Sequence, residues 1–153
     1  MFDHKKGLVV VALENGTVID HIPPDKLFKV VSILNLDTLD SQLTIGNNLK
    51  SSKLGTKGII KITNKFFEPN VINKIALVAP NAKLNIIKNF QVVEKRNIVL
   101  PDEIHDIIQC GNPKCITNNE PVPTLFFVVD KDDVKVKCNY CERMIHQEDI
   151  KMK

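Results

Sequence analysis

The alternation of apolar and polar residues predicts an open β-sheet over the first two thirds of the chain. One continuous β-branched run, at residues 8–13, is typical of a buried strand. Other segments alternate apolar residues with lysine, asparagine or threonine, as strands with one buried face do. The predicted strands are residues 8–13, 17–22, 42–46, 58–63, 82–88 and 90–93. Polar residues 47–57, which include Gly55, predict a loop.

Two segments instead carry apolar residues at helical spacing. Residues 27, 30, 31 and 34 fall on one helical face and follow Pro23 and Pro24, which are tolerated in a first helical turn. A second helix begins at Pro69 and ends before Pro80. From residue 17 the order is strand, helix, strand, strand, helix, strand. This order predicts a ferredoxin-like α+β domain, an antiparallel sheet with two helices on one face.

Four cysteines near the C-terminus form two close pairs. Cys110 and Cys115 are separated by four residues, Cys138 and Cys141 by two, and 22 residues lie between the pairs. Four thiolates can occupy the corners of a tetrahedral zinc site, and each pair can supply two of them from one tight turn. A fully occupied Cys₄ set leaves no position for water. The pattern therefore predicts one structural Zn²⁺ and not a catalytic metal.

The segment between the cysteine pairs predicts a hairpin that brings them together. Residues 125–129 and 134–138 alternate as strands around a polar turn, which indicates a small all-β domain. Two structural disulfides are the first alternative, but the N-terminus has no apolar signal-peptide segment. A thiol redox pair is the second alternative, and no βαβ unit accompanies it. Residues 95–101 are charged, end in proline and predict a linker.

Composition and charge limit the classes of function. The chain has 153 residues, a hydrophobic fraction of 43% and no apolar run long enough to span a membrane. Reduced cysteines favour a cytoplasmic location. Residues 1–97 carry a net charge of +6, and residues 98–153 carry −3. The acidic second part argues against nucleic-acid binding by the cysteine-rich segment.

No nucleophile, acid and base are arranged for catalysis, so the polar residues predict binding. Asp20 and His21 end an extended segment, and Lys57 and Lys61 lie around one strand. Asn85 lies on another strand, and Lys95 and Arg96 follow a third. Lysine suits phosphate oxygens, while a carboxylate can accept hydrogen bonds from a ribose or an exocyclic amine. Together they could hold a nucleotide.

Several segments together resemble the regulatory chain of aspartate carbamoyltransferase. They include Gly-Thr-Val-Ile-Asp-His-Ile-Pro at residues 16–23, Leu-Thr-Ile-Gly at 43–46 and Ile-Ile-Lys-Ile at 59–62. Ala-Leu-Val-Ala-Pro at 76–80, Asn-Ile-Ile-Lys at 85–88, Leu-Pro at 100–101 and the spacing of the four cysteines continue the resemblance. It covers essentially the whole chain.

The resemblance implies a non-catalytic subunit that controls pyrimidine biosynthesis. Residues 1–100 would be an allosteric domain that binds CTP, ATP or UTP, and residues 101–153 a zinc domain that docks on the separate catalytic chain. The family assembles as catalytic trimers and regulatory dimers, so a second copy of this chain is also an expected partner. Carried over by position, the nucleotide contacts would be Asp20, His21, Lys61, Asn85 and Lys95.

Three departures from the family pattern bear on which nucleotide is preferred. Residues 24–26, Pro-Asp-Lys, replace a small glycine-containing turn. Phe90 stands where some relatives carry tyrosine, and Asn97 where some carry arginine. Two other functions remain as alternatives, a zinc-ribbon protein that binds nucleic acid and a free-standing nucleotide sensor without an enzyme partner.

Overall fold

A computed structural model of the chain describes residues 13–52 and 55–153. The chain divides into two compact units, Met1–Ile98 and Val99–Lys153. The predicted strand at residues 8–13 falls, except for its last residue, outside the described residues.

The described part of the first unit contains a five-stranded sheet and two α-helices. The elements in chain order are β1 (Gly16–Ile22), α1 (Leu27–Ile33), β2 (Leu43–Ser51), β3 (Gly55–Thr63), α2 (Pro69–Val78), β4 (Lys83–Lys88) and β5 (Gln91–Asn97). A 3₁₀ turn at Pro24–Lys26 leads into α1, as the two prolines predict. The strands lie in the order β2-β3-β1-β4-β5, and every neighbouring pair is antiparallel. This is the predicted ferredoxin-like arrangement, extended by β5 at one edge.

One face of this sheet carries the core. Ile19 of β1 lies beside Ile60 of β3 and Leu84 of β4, and all three are fully buried. The two helices contact each other and cover this face. A Cβ built on Gly58 would lie 2.9 Å from Cδ1 of Leu27, so the glycine allows α1 to approach β3 closely. The residues between these in each strand, Lys61 among them, lie on the opposite face of the sheet.

Two predictions about connections in this unit were wrong. Residues 47–51 of the predicted loop instead continue β2, and residues 55–57 begin β3, which pairs with β2. A register shift between Gly46 and Leu49, with Asn48 at φ 57°, marks an irregularity in β2. The predicted linker at residues 95–101 begins too early, because β5 extends to Asn97.

The second unit is built from short strands. They are β6 (Glu103–His105), β7 (Ile108–Gln109), β8 (Leu125–Asp130), β9 (Lys135–Cys138), β10 (Met144–His146) and β11 (Lys151–Met152), with one helical turn, α3 (Ile116–Asn119). The order β10-β9-β8-β6 forms one antiparallel sheet, and β7 pairs with β11. The predicted hairpin of β8 and β9 is confirmed. Phe126 and Val136 are fully buried in this unit.

None of the helices within residues 13–52 and 55–153 combines the length and the apolar character needed to span a bilayer.

Candidate functional site

The four cysteines form one cluster in the second unit. Their Sγ atoms all lie within 4.8 Å of one another, and Cys110, Cys115 and Cys138 are buried while Cys141 is half-buried. Sγ of Cys110 lies 3.6 Å from Sγ of Cys141, and Sγ of Cys115 lies 3.8 Å from Sγ of Cys138. A disulfide needs about 2.05 Å. The cysteines are therefore free thiols, and the disulfide alternative is wrong.

The first knuckle, residues 110–115, is a loop closed by its own polar groups. The backbone N–H of Cys115 donates to the carbonyl of Asn112 at 3.0 Å. The side-chain oxygen of Asn112 accepts from the N–H of Lys114, also at 3.0 Å. Such a turn, in which an asparagine bonds to a backbone amide two residues on, bends the chain so that both cysteines face the same point.

The second knuckle, residues 138–143, follows directly from β9. The N–H of Cys138 donates to the carbonyl of Arg143, and the N–H of Glu142 donates to the carbonyl of Cys138, both at 3.0 Å. Glu142 adopts φ 63°, the left-handed conformation that reverses the chain. The hairpin of β8 and β9 thus places Cys138 and Cys141 next to Cys110 and Cys115.

Burial and hydrogen bonds shift the pKa values of Cys110, Cys138 and Cys141 in different directions. Burial raises the pKa of Cys110 to about 12 and also raises the pKa of Cys138. Burial opposes ionisation at Cys141 as well, but hydrogen bonds from the backbone of Arg143 and the side chain of Asn112 outweigh it, and the pKa falls to about 7. Buried thiols packed this closely need a cation to be stable as thiolates.

The spacing of the four sulfur atoms is close to that of a tetrahedral metal site. A tetrahedron with metal–sulfur distances of about 2.3 Å has sulfur–sulfur edges of about 3.8 Å. The two measured edges of 3.6 and 3.8 Å match that value. The second unit is therefore a metal-binding domain with the four predicted ligands in one place.

In the first unit, three of the five predicted nucleotide contacts share one row across the sheet. Lys61 of β3 lies beside Val18 of β1, Val18 lies beside Asn85 of β4, and Asn85 lies beside Lys95 of β5. Residues that are direct partners in adjacent antiparallel strands project to the same face. Lys61, Asn85 and Lys95 therefore line one polar row on the face opposite the helices.

Asp20 and His21 lie at the end of β1, beside this row. Asp20 is two residues from Val18 and so belongs to the same face. His21 adopts φ 59° where the register between β1 and β3 shifts, which marks a β-bulge. Its backbone N–H donates to Oδ1 of Asp20 at 2.7 Å, and its Nδ1 lies 3.6 Å from Oδ2 of Asp20. The bulge thus directs His21 differently from a regular strand residue.

Lys61 is a buried cation with only 7% of its surface exposed. Burial lowers the pKa of Lys61 below its ordinary value of 10.5, and the negative charge of Asp20 opposes this shift. Lysine is rarely found so deeply buried without a functional or pairing reason. The electrostatic interaction with Asp20 connects the polar row to the end of β1.

Lys57, which the sequence placed among the polar residues of a binding face but not among the five predicted nucleotide contacts, belongs to this surface. Its Nζ lies 2.9 Å from Oδ1 of Asp20. Together with His21 it lines a depression of about 760 Å³, whose other lining residues are Lys50, Ser51, Ser52, Gly55 and Thr56. Lys57 and Lys61 are four residues apart in β3, a spacing that places both on one face of the strand.

Comparison with protein families matches both units. Residues 8–99 match the model of the aspartate carbamoyltransferase regulatory chain, allosteric domain. Residues 102–151 match the model of the aspartate carbamoyltransferase regulatory chain, metal binding domain. The two matches together span most of the chain.

Similar proteins cover nearly the full length. A protein named aspartate carbamoyltransferase regulatory chain from Parabacteroides distasonis is 56% identical over 99% of this chain and 98% of its own. The protein of that name from Bacteroides thetaiotaomicron is 57% identical over 98% of both chains. One from Pyrococcus horikoshii is 49% identical over 94% of this chain and 95% of its own.

Proposed function

Because this chain belongs to the family of aspartate carbamoyltransferase regulatory chains, we propose that it binds nucleoside triphosphates and transmits their effect to a separate catalytic chain. Its relatives are named as regulatory chains and not as catalytic ones, which agrees with a non-catalytic subunit in pyrimidine biosynthesis. The proposed division of labour places nucleotide binding in residues 1–100 and docking in residues 101–153. The proposed location is the cytoplasm.

The polar row supports nucleotide binding. Lys61, Asn85 and Lys95 offer two cations and an amide along one line of the sheet, and Asp20 offers a carboxylate at its edge. In this proposal Asp20 and Lys61 contact the base and ribose of CTP, ATP or UTP. His21 and Lys95 contact the phosphates, whose negative charge suits the net charge of +6 carried by residues 1–97.

Calorimetry with CTP and ATP on the full chain tests this site. We expect Lys61→Ala to weaken binding by roughly 1–3 kcal/mol, the usual range for the loss of a charged hydrogen bond. Equal affinity in wild type and Lys61→Ala would contradict the site assignment. Hydrolysis of nucleotide by the pure chain would contradict the assignment of a non-catalytic role.

Zinc is the proposed metal of the cysteine cluster. Four thiolates and no oxygen or nitrogen ligand form the donor set that structural Zn²⁺ prefers, and Cys110, Cys115, Cys138 and Cys141 would hold it. Such an ion supplies cross-linking of the two knuckles and no reaction chemistry, because no ligand position is left for water. Metal analysis of the purified chain, with one zinc per chain expected, tests this identity.

The proposed partner of the metal-binding domain is the aspartate carbamoyltransferase catalytic chain. The domain exposes apolar side chains close to the cysteines, such as Ile116, Tyr140 and Met144. Co-purification of a catalytic chain with the tagged full-length protein, lost after metal removal by a mercurial, is the expected result. Failure of any catalytic chain to co-purify would favour a free-standing nucleotide sensor.

A regulatory dimer is the proposed state of the first unit. The described sheet has edges at β2 and β5, and β2 contains residues 43–46 of the segment 42–46, one of the two candidate dimer edges in the sequence. The other candidate, residues 8–13, falls outside the described residues except for its last residue. Pairing of two β2 strands across a two-fold axis would satisfy their outer backbone groups. We expect Ile45→Asp, a change at a 40% exposed position of β2, to shift sedimentation toward monomer. A wild-type chain that sediments as a monomer at high concentration would contradict the dimer.

A further inference from the structure

The two knuckles of the metal-binding domain are held in different ways. The second knuckle is short and continues β9, so backbone hydrogen bonds from Cys138 and Glu142 already close it. The first knuckle has four residues between its cysteines, and one of them, Pro113, has no N–H to donate. A longer loop has more conformations to lose when its ligands converge on a metal. The two hydrogen bonds within the first knuckle both end on Asn112, so the carbonyls of Cys110, Pro113 and Cys115 need partners outside the loop.

Two consecutive asparagines of α3 provide this support. Nδ2 of Asn118 donates to the carbonyls of Cys110 and Asn112 at 2.8 and 2.7 Å. Nδ2 of Asn119 donates to the carbonyls of Pro113 and Cys115 at 3.0 and 2.8 Å. The side-chain NH₂ group of each asparagine therefore donates both of its hydrogen atoms. Four of the six carbonyls in residues 110–115, including those of both cysteines, are thus tied to α3.

The residue before them contacts a ligand atom directly. Oγ1 of Thr117 lies 3.2 Å from Sγ of Cys115. When Cys115 is a thiolate, the hydroxyl is the donor, since the sulfur then has no proton to give. Groups that bond to metal ligands in this manner fix ligand orientation, and their loss typically costs about 10- to 100-fold in metal affinity.

We propose that Asn118 and Asn119 form an amide clamp, a pair of positioning residues that preorganises the first knuckle and sets the rate at which the domain loses its metal. Thr117 supports the clamp at Cys115. This inference deepens the proposed function, because it rests on the cysteine cluster being a metal site. It assigns the stability of metal binding to three polar side chains that are not metal ligands.

Zinc transfer from the full chain to a chromogenic chelator tests the clamp. We expect Asn118→Ala and Asn119→Ala, made singly so that one amide remains in each, to release zinc about 10- to 100-fold faster than wild type. Thr117→Val, which keeps the side-chain shape and removes the hydroxyl, should accelerate release in the same direction. Asn139→Ala is the matched control, because the exposed side chain of Asn139 makes no hydrogen bond within the described residues.

A second measurement distinguishes positioning from general stabilisation of the domain. Thiol alkylation during the chelator challenge, mapped by mass spectrometry, shows which cysteines are released first. Loss of the clamp should expose Cys110 and Cys115 before Cys138 and Cys141. Release rates within twofold of wild type, equal acceleration by Asn139→Ala, or simultaneous labelling of all four cysteines in the clamp variants would overturn the proposal. Absence of bound metal from the wild-type chain would instead overturn the proposed zinc site itself.

Discussion

Lys57 of β3 and Asp20 of β1 form an ion pair at the end of the polar row, with Nζ of Lys57 2.9 Å from Oδ1 of Asp20. The same carboxylate accepts the backbone N–H of His21 at 2.7 Å. Each side chain of the pair is about one fifth exposed, so solvent screens it less than a surface pair. The bulge at His21, the start of β3 and the carboxylate are thus fixed relative to one another.

Lys57→Met should weaken nucleotide binding although Lys57 was not among the predicted contacts. The substitution removes a cation near the proposed phosphate position and leaves Asp20 without its partner. We expect a loss of roughly 1–3 kcal/mol in CTP binding by calorimetry. Lys29→Met on α1 removes the same charge from the other side of the sheet and is the control. Equal effects of the two substitutions would show that only net charge matters.

Lys61→Met should reduce nucleotide binding and at the same time stabilise the nucleotide-free first unit at neutral pH. Burial lowers the pKa of Lys61 below 10.5, so the folded unit binds this proton less tightly than the unfolded chain does. The buried charge therefore lowers the free energy of unfolding by its full amount at any pH well below the pKa of Lys61 in the folded state. It disappears as the pH rises toward 10.5. Methionine has a similar length and no charge.

Urea unfolding of the nucleotide-free protein across neutral and alkaline pH measures this effect. The free energy of unfolding of the wild-type chain should include a contribution that increases from neutral to alkaline pH. This increase should be absent from Lys61→Met. Lys29→Met again serves as the control. A variant that is less stable than wild type at neutral pH would show that Lys61 is held for stability and not for binding.

The sequence predicted the regular parts of both units, and its failures have physical causes. Lys61 flanked by the buried Ile60 and Ile62 gives a clear alternation. The spacing of the cysteines predicts that all four come together, as they do in the structure. In β5, by contrast, all seven residues are exposed, so no apolar period marks its length. The outer part of the β2–β3 hairpin, residues 47–51 and 55–57, is also mostly polar. It has no regular apolar alternation that would predict strands.

The site contained features that no local pattern specifies. The left-handed conformation of His21 depends on the register of β1 against β3, which is a property of two distant segments. The pairing of Asp20 with Lys57 joins residues 37 positions apart. The role of Asn118 and Asn119 likewise depends on the fold of the first knuckle. Sequence reasoning found the residue types and missed these relationships.

Gly16→Ala should destabilise the first unit strongly. Gly16 adopts φ 148°, a region that residues with a Cβ rarely enter, and a Cβ there would lie 2.1 Å from the carbonyl oxygen of Ile62. Relief of this clash must move β1 relative to β3. We expect a loss of about 2 kcal/mol or more in the free energy of unfolding by urea titration. Gly111→Ala, at a position with no heavy atom within 4 Å of the added Cβ, should be near neutral. Equal stability of Gly16→Ala and wild type would contradict the β1–β3 register.

Cys138→Ser should unfold the second unit and leave the first folded. Cys138 is fully buried, and its thiolate is one of four proposed zinc ligands that close the two knuckles. Binding energy at such a site is largely folding energy, on the order of 10 kcal/mol or more, and serine replaces a soft thiolate with a poor zinc ligand. The amide NMR spectrum should lose the dispersed signals of Val99–Lys153 and keep those of the first unit.

Chelation of the proposed zinc from the wild-type chain is the matched comparison and should give the same spectrum. Near-native signals from the second unit in the chelated protein would contradict a metal-dependent fold. Nucleotide binding measured on the Cys138→Ser chain separates the two proposed functions further. Because the polar row lies entirely in β1, β3, β4 and β5, retained CTP binding is expected even when docking on a catalytic chain is lost. Loss of both together would mean that the first unit depends on the second for its fold.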